Sequence, residues 1–186
     1  MELKEVKITI SHKFNFFENK EIDRIISNIP FNKLETQVSE MNKLAIIKME
    51  NNFYMIISDK SIQFRMRQLD VLNSNLEILN VFDENIKEYF RLELISFNGI
   101  LHETSNEETY NQSFGDNFPS CYKVRMLGID IESDNFMYRL SLNKKKKFTK
   151  VMVNTLVNSN IQKIEQNCKG AYEEFIKKLE ILYPLL

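Results

Sequence analysis

The chain has no tryptophan, and 186 residues hold only four glycines, three prolines, two cysteines and two histidines. Each scarcity excludes something. So little Gly and Pro argues against a loop-rich or disordered chain. Four glycines could hardly build a phosphate-cradling loop, a nucleophile elbow or a dinucleotide fingerprint, and none of those motifs is present. Cys121 and Cys168 lie far apart, give no disulfide framework and read as two buried thiols of a reduced chain. No apolar run approaches the roughly 20 residues that span a bilayer. The opening Met1-Glu2-Leu3-Lys4-Glu5-Val6 lacks the basic region and apolar core of a signal peptide, so a cytoplasmic protein without a membrane partner is expected. Charge excess is missing too. Twenty-five basic residues face 26 acidic ones, a net charge of -1. There is no overall field to draw nucleic acid or an anionic membrane, and such binding needs a local patch.

What is present is packing material. Hydrophobic residues make up 43% of the chain, with fourteen Phe and seven Tyr, enough for one large core or two small ones packed together. The Asn/Lys/Ile-rich composition suggests an AT-rich bacterial or phage genome. Apolar residues at Ile161, Ile164, Cys168, Ala171, Phe175, Leu179 and Leu182 step by threes and fours, which predicts a long amphipathic helix over Asn158–Leu186. Asn73-Ser74-Asn75 repeats its opening Asn158-Ser159-Asn160, 85 positions earlier. The stripe Leu76, Leu79, Phe82, Ile86, Phe90 follows, and predicts a second long helix from Ser74 to Phe90.

Between these, period two dominates. Val6, Ile8 and Ile10 alternate with polar residues and predict a half-buried strand. A short helix follows, with Asn19 as its expected N-cap and Pro30 as its stop. Leu34, Thr36 and Val38 predict another half-buried strand. Leu44–Met49, Phe53–Ile57 and Ile62–Met66 complete an antiparallel meander turned at Asn51-Asn52 and at Ser58–Ser61. The second half gives a strand over Leu92–Leu101 and a polar stretch 103–119. Strands follow over 122–131, from Asn135, and over Phe148–Val153. Asn135-Phe136-Met137-Tyr138 matches Asn52-Phe53-Tyr54-Met55 at an offset of 83.

The chain therefore reads as one domain of two related halves, 1–90 and 91–186. Each runs strand, helix, meander, long helix. The expected class is α+β, with helices on one face of a curved antiparallel sheet. In the order of its elements this resembles the TATA-binding-protein-like and other duplicated α+β folds. A helix-grip fold also ends in a long helix over an antiparallel sheet, but has no place for a middle helix.

Candidate chemistry is sparse. His12 and His102 fall near the ends of the first strands of the two halves, and with Cys121 or Cys168 they match no zinc spacing. Asp130 and Glu132 share a strand face, with Asp134 in the next turn, and paired carboxylates of this kind hold cations or move protons when they have partners. Lys144, Lys145, Lys146 and Lys147, with Lys150, form the densest basic run. Arg65 and Arg67 fall on the corresponding strand of the first half, so a basic sheet edge is expected. Glu107, Glu108 and Asp116 make 103–119 acidic. Base stacking would require aromatics on the same exposed face, whereas Phe64 and Phe148 fall on the core side.

No catalytic constellation or cofactor motif emerges, so the expectation is a binding protein rather than an enzyme. The leading reading is a protein-binding module of antitoxin, immunity or inhibitor type, with a homodimer as one form of partner. A small-molecule module with an apolar groove between the halves comes second. Nucleic-acid binding through the basic edge or lysine turn ranks third because of the charge balance.

Overall fold

A computed structural model describes residues 2–67, 76–101, 126–133, 136–143, 148–159 and 163–182. Strand β1 (Glu2–His12) leads into helix α1 (Glu21–Asn28). A meander follows: β2 (Lys33–Ser39), β3 (Leu44–Met49), β4 (Phe53–Ser58) and β5 (Ser61–Met66). A 3₁₀ segment (Leu76–Val81) and the one-turn helix α2 (Glu84–Lys87) lead to β6 (Phe90–Leu101). Then come β7 (Met126–Ser133), β8 (Phe136–Asn143), β9 (Phe148–Ser159) and α3 (Ile164–Leu182).

The nine described strands form one antiparallel sheet, ordered β2-β3-β4-β5-β1-β6-β9-β8-β7. That order is mirrored about the central β1–β6 pair. Outward from β1 run β5, β4 and β3; outward from β6 run β9, β8 and β7. The class is α+β with an antiparallel sheet, as the alternation implied, and Phe53 and Phe136 of the matched stretches begin β4 and β8.

One sheet face is the core. Val6, Ile8 and Ile10 of β1 are buried, as are Ile62, Phe64 and Met66 of β5 and Phe53, Met55 and Ile57 of β4. Ile22 and Ile25 of α1, Phe82, Ile86 of α2 and Ile164, Cys168, Ala171 and Phe175 of α3 belong to the same apolar cluster. The described helices therefore cover one face. Phe175 is fully buried and stacks on Phe97 of β6, with ring centroids 5.1 Å apart and planes 20° apart.

The turns follow local chemistry. Asn51 and Asn52 both take left-handed φ, 57° and 55°, a conformation Asn tolerates better than most residues. At the next turn the Ser58 hydroxyl accepts the Ser61 backbone N–H at 3.0 Å. Ile29 ends α1 in an extended conformation, φ -61° and ψ 122°, because the ring of Pro30 disfavours helical geometry before it.

Five expectations are corrected. The middle helix over Ser74–Phe90 is not there. Its stripe is split into the 3₁₀ segment and the single turn of α2, broken where Asp83 adopts an extended conformation (φ -64°, ψ 152°). Val, Phe and Asp are weak helix formers at that junction, and Phe90 pairs with His12 in the β1–β6 ladder instead. The same point removes the correspondence of Phe90 with Phe175, since one lies in a strand and the other in a helix. The last helix starts late: Asn158 and Ser159 end β9, whose ladder with β6 reaches Leu92↔Ser159. Asn19 does not cap α1. Lys20 precedes that helix in a left-handed conformation, and the Asn19 amide donates to the Asn15 carbonyl at 2.8 Å. Finally, β2 is not half-buried. It is an outermost strand, six of its seven residues are exposed, and Leu34 is 60% exposed.

Candidate binding face

Because a strand turns its side chains alternately, the residues between the core positions form a second face. On β3, β4 and β5 these are half-buried: Leu44, Ile46 and Lys48; Tyr54, Ile56 and Ser58; Ser61, Gln63 and Arg65. Strand register aligns them in rows. Lys48 pairs with Tyr54, Tyr54 with Arg65, and Arg65 with Lys7. The row continues to Ser96 of β6, and Glu35 of β2 closes its other end opposite Lys48. Three cations and one aromatic ring thus cross four adjacent strands, a span of about 14 Å at the usual strand spacing. The Lys48 ammonium lies 6.0 Å from the centroid of the Tyr54 ring, at the outer limit of a cation–π contact.

The neighbouring row is largely apolar. Ile46 pairs with Ile56, Ile56 with Gln63, Gln63 with Thr9 and Thr9 with Leu94. Arg65 donates to the Gln63 side chain at 3.2 Å, while its Nε is buried and has no acceptor. A guanidinium donor left unpaired in a buried position is costly, so the face holds cationic donor capacity that the protein itself does not use.

The sequence-derived candidates fall into three groups. Arg65 lies on this face, but in β5, an interior strand, so it offers a sheet face rather than a sheet edge. Arg67 is exposed just beyond the end of β5. Lys144, Lys145, Lys146, Lys147, Glu107, Glu108, Asp116, Asp134, His102 and Cys121 lie outside the described residues. In the second half the register sets Asp130 opposite Arg139, Glu132 opposite Met137 and Lys150 opposite Ile100. Asp130 and Glu132 are not neighbours of the Lys48–Lys7 row, which lies on the other side of the sheet centre. Phe64 is on the core face, as alternation implied.

His12 is 6% exposed at the end of β1, its ring edge-on to Phe16 at 4.7 Å between centroids. Its Nε2 lies 3.1 Å from the Ser58 carbonyl, to which it donates. Burial holds its pKa below the ordinary value, opposed by backbone hydrogen bonds to Ser58 and Phe14 and by Asp59. Cys168 is buried in α3 and its thiol is pushed up to about 12, chiefly by burial and secondarily by Glu165. That is the environment of a packing residue rather than a nucleophile. No group of three His, Cys, Asp or Glu suited to a metal occurs among the described residues. None of the described helices is long and apolar enough to cross a membrane.

Sequence reasoning missed Lys7, Lys48 and Tyr54. Their alternation with core residues was readable, but joining them into one row requires the order β3-β4-β5-β1 and its register.

No family model matches the chain, and neither does any curated protein. Among solved structures, Methanococcus jannaschii TBP aligns over 97% of this chain and 99% of its own, at 11% identity and a TM-score of 0.41.

Proposed function

We propose that the chain is a non-catalytic module that binds a protein partner through the open face of its sheet. The observation that carries this reading is the composition of that face. Leu44, Ile46, Ile56 and Leu94 lie on the same sheet face as Tyr54, Arg65, Lys48 and Lys7, on the adjacent strands β3, β4, β5, β1 and β6. Protein interfaces combine an apolar centre with Tyr and Arg in this way. A complementary partner presents carboxylates to the cation row and apolar side chains to the Ile46–Ile56 row. An antitoxin, immunity or inhibitor role fits a module of this kind.

The cation row around Tyr54 favours a second reading, single-stranded nucleic acid. Phosphates would meet Lys48, Arg65 and Lys7, and a base would stack on Tyr54. The test is affinity purification of the tagged chain from its native host, alongside the double variant Ile56→Lys/Arg65→Glu and a helix-surface control, Glu173→Lys. The expected result is a stoichiometric protein bound by wild type and control and lost from the face variant at an unchanged melting temperature. Equal recovery from the face variant would overturn the reading. Nuclease-sensitive material with a steep salt dependence would replace it by the second.

A further inference from the structure

A cavity of about 710 Å³ opens where the ends of β1, β5 and β6 meet. It is larger than the two other described hollows, of about 220 and 280 Å³. Its size lies within the range of small-molecule sites, and its location is the junction of the two mirrored halves.

Two walls of different chemistry face this space. One carries Lys13, just past β1, and Lys60, in the turn between β4 and β5. The His12 backbone N–H donates to the Lys60 carbonyl at 3.0 Å, which ties the two lysine-bearing segments side by side. Neither ammonium has an ion-pair partner among the described residues, and Asp59 is not part of the lining. Two lysines without ion pairs, on hydrogen-bonded neighbouring segments of one hollow, suit an anionic ligand. Ser11 and Ser61 also line the space, with the Ser11 hydroxyl donating to the Arg91 carbonyl at 3.4 Å and the Ser61 hydroxyl bonded to that of Ser58 at 3.1 Å. The neighbouring side comes from the entry to β6, whose Arg91 is the register partner of Ser11. Tyr89 is 51% exposed, with its ring packed obliquely on Phe14 at 6.0 Å. Glu88 and Glu93 flank it. A half-exposed ring offers a stacking platform, and carboxylates are the usual acceptors for sugar hydroxyls.

We infer that this cavity is a binding site for a mononucleotide-sized phosphate monoester. The phosphate sits against Lys13 and Lys60, and the ring system sits on Tyr89 with its sugar hydroxyls toward Glu88 and Glu93. Arg91 also lines the space, but its Nη1 donates to the Glu88 and Phe90 carbonyls, so its role is to hold the turn that presents Tyr89. This site lies at one end of the same open face, sharing Thr9 and Ser61 with it, but it uses none of Lys48, Tyr54, Arg65 or Lys7, so its failure and that of the protein-binding reading are told apart by separate variants.

The test is a calorimetric titration of the full chain with adenosine 5′-monophosphate, ribose 5-phosphate, adenosine and inorganic phosphate. The mononucleotide is expected to bind most tightly and adenosine not at all. Lys60→Glu should weaken the mononucleotide at least about tenfold. Tyr89→Ala should erase its advantage over ribose 5-phosphate. Arg65→Glu on the open face, and Lys169→Glu on the outer surface of α3, should change nothing. No heat or shift with any phosphate up to about 5 mM would overturn the assignment. So would undiminished binding by a folded Lys60→Glu chain.

Discussion

His12 carries a pH dependence whose sign follows from its burial. Its pKa is lowered in the folded chain, chiefly by desolvation, so the unfolded chain binds the proton more readily. Stability from this residue is therefore complete above the unfolded value of about 6.5 and is lost as pH falls toward the folded one. His12→Phe should keep the contacts with Phe16 and Phe90 while removing the titration. The expected outcome is a urea midpoint that falls between pH 7.5 and 5.5 more steeply in wild type than in the variant. Equal slopes would mean that another group sets the acid limb. Cys168 offers a second residue-scale check. With its thiol buried and raised to about 12, a Cys121→Ser chain should leave Cys168 unlabelled by a thiol reagent at pH 8 until denaturant is added. Rapid native labelling would contradict its place under α3.

The helices and strands differ in how much of them the sequence disclosed. Period-two alternation marked β1 and β5, and apolar runs bounded by turn residues marked β3 and β4, because each of these strands has one face on the core. It misled at β2, whose Leu34 and Val38 have the right spacing but sit beyond the helix layer. Alternation reports which residues share a face, not whether anything covers it. The stripe from Leu76 to Phe90 misled for a related reason. Helical spacing was present, yet Ile78, Val81, Phe82 and Ile86 are buried by a 3₁₀ segment and a single turn, because the ladder of β6 claims Phe90. The late start of α3 follows the same competition between strand pairing and helix propensity. Stability should track this account. Val38→Ala on the exposed edge should cost under about 0.5 kcal/mol. Ile47→Ala, on the neighbouring strand under full cover, should cost about 2–5 kcal/mol. Phe175→Ala should cost about 3–5 kcal/mol against under about 0.5 for Glu173→Ala. Thermal or urea unfolding measures all four, and a tolerant Phe175→Ala would mean that α3 does not close the core.

At the scale of the whole molecule, one sheet has a buried apolar face and an open face, to which the proposed partner is assigned. The strand order about β1 and β6 was not legible in the sequence, which offered only local matches between two stretches of chain. Nor was the candidate face, since it assembles Lys48, Tyr54, Arg65 and Lys7 from segments spread over most of the first half. Adjacent residues of one strand therefore separate the two faces most directly. Phe64 is 2% exposed in the core, and Arg65, next to it on β5, faces the open side. The decisive measurement is urea unfolding of Phe64→Ala and Arg65→Ala, paired with partner recovery from the native host by each variant at a temperature where both are folded. The division of faces predicts a loss of about 3–5 kcal/mol for Phe64→Ala with partner retained, and under about 1 kcal/mol for Arg65→Ala with partner weakened. Equal stability losses, or a partner held as tightly by Arg65→Ala as by wild type, would contradict it.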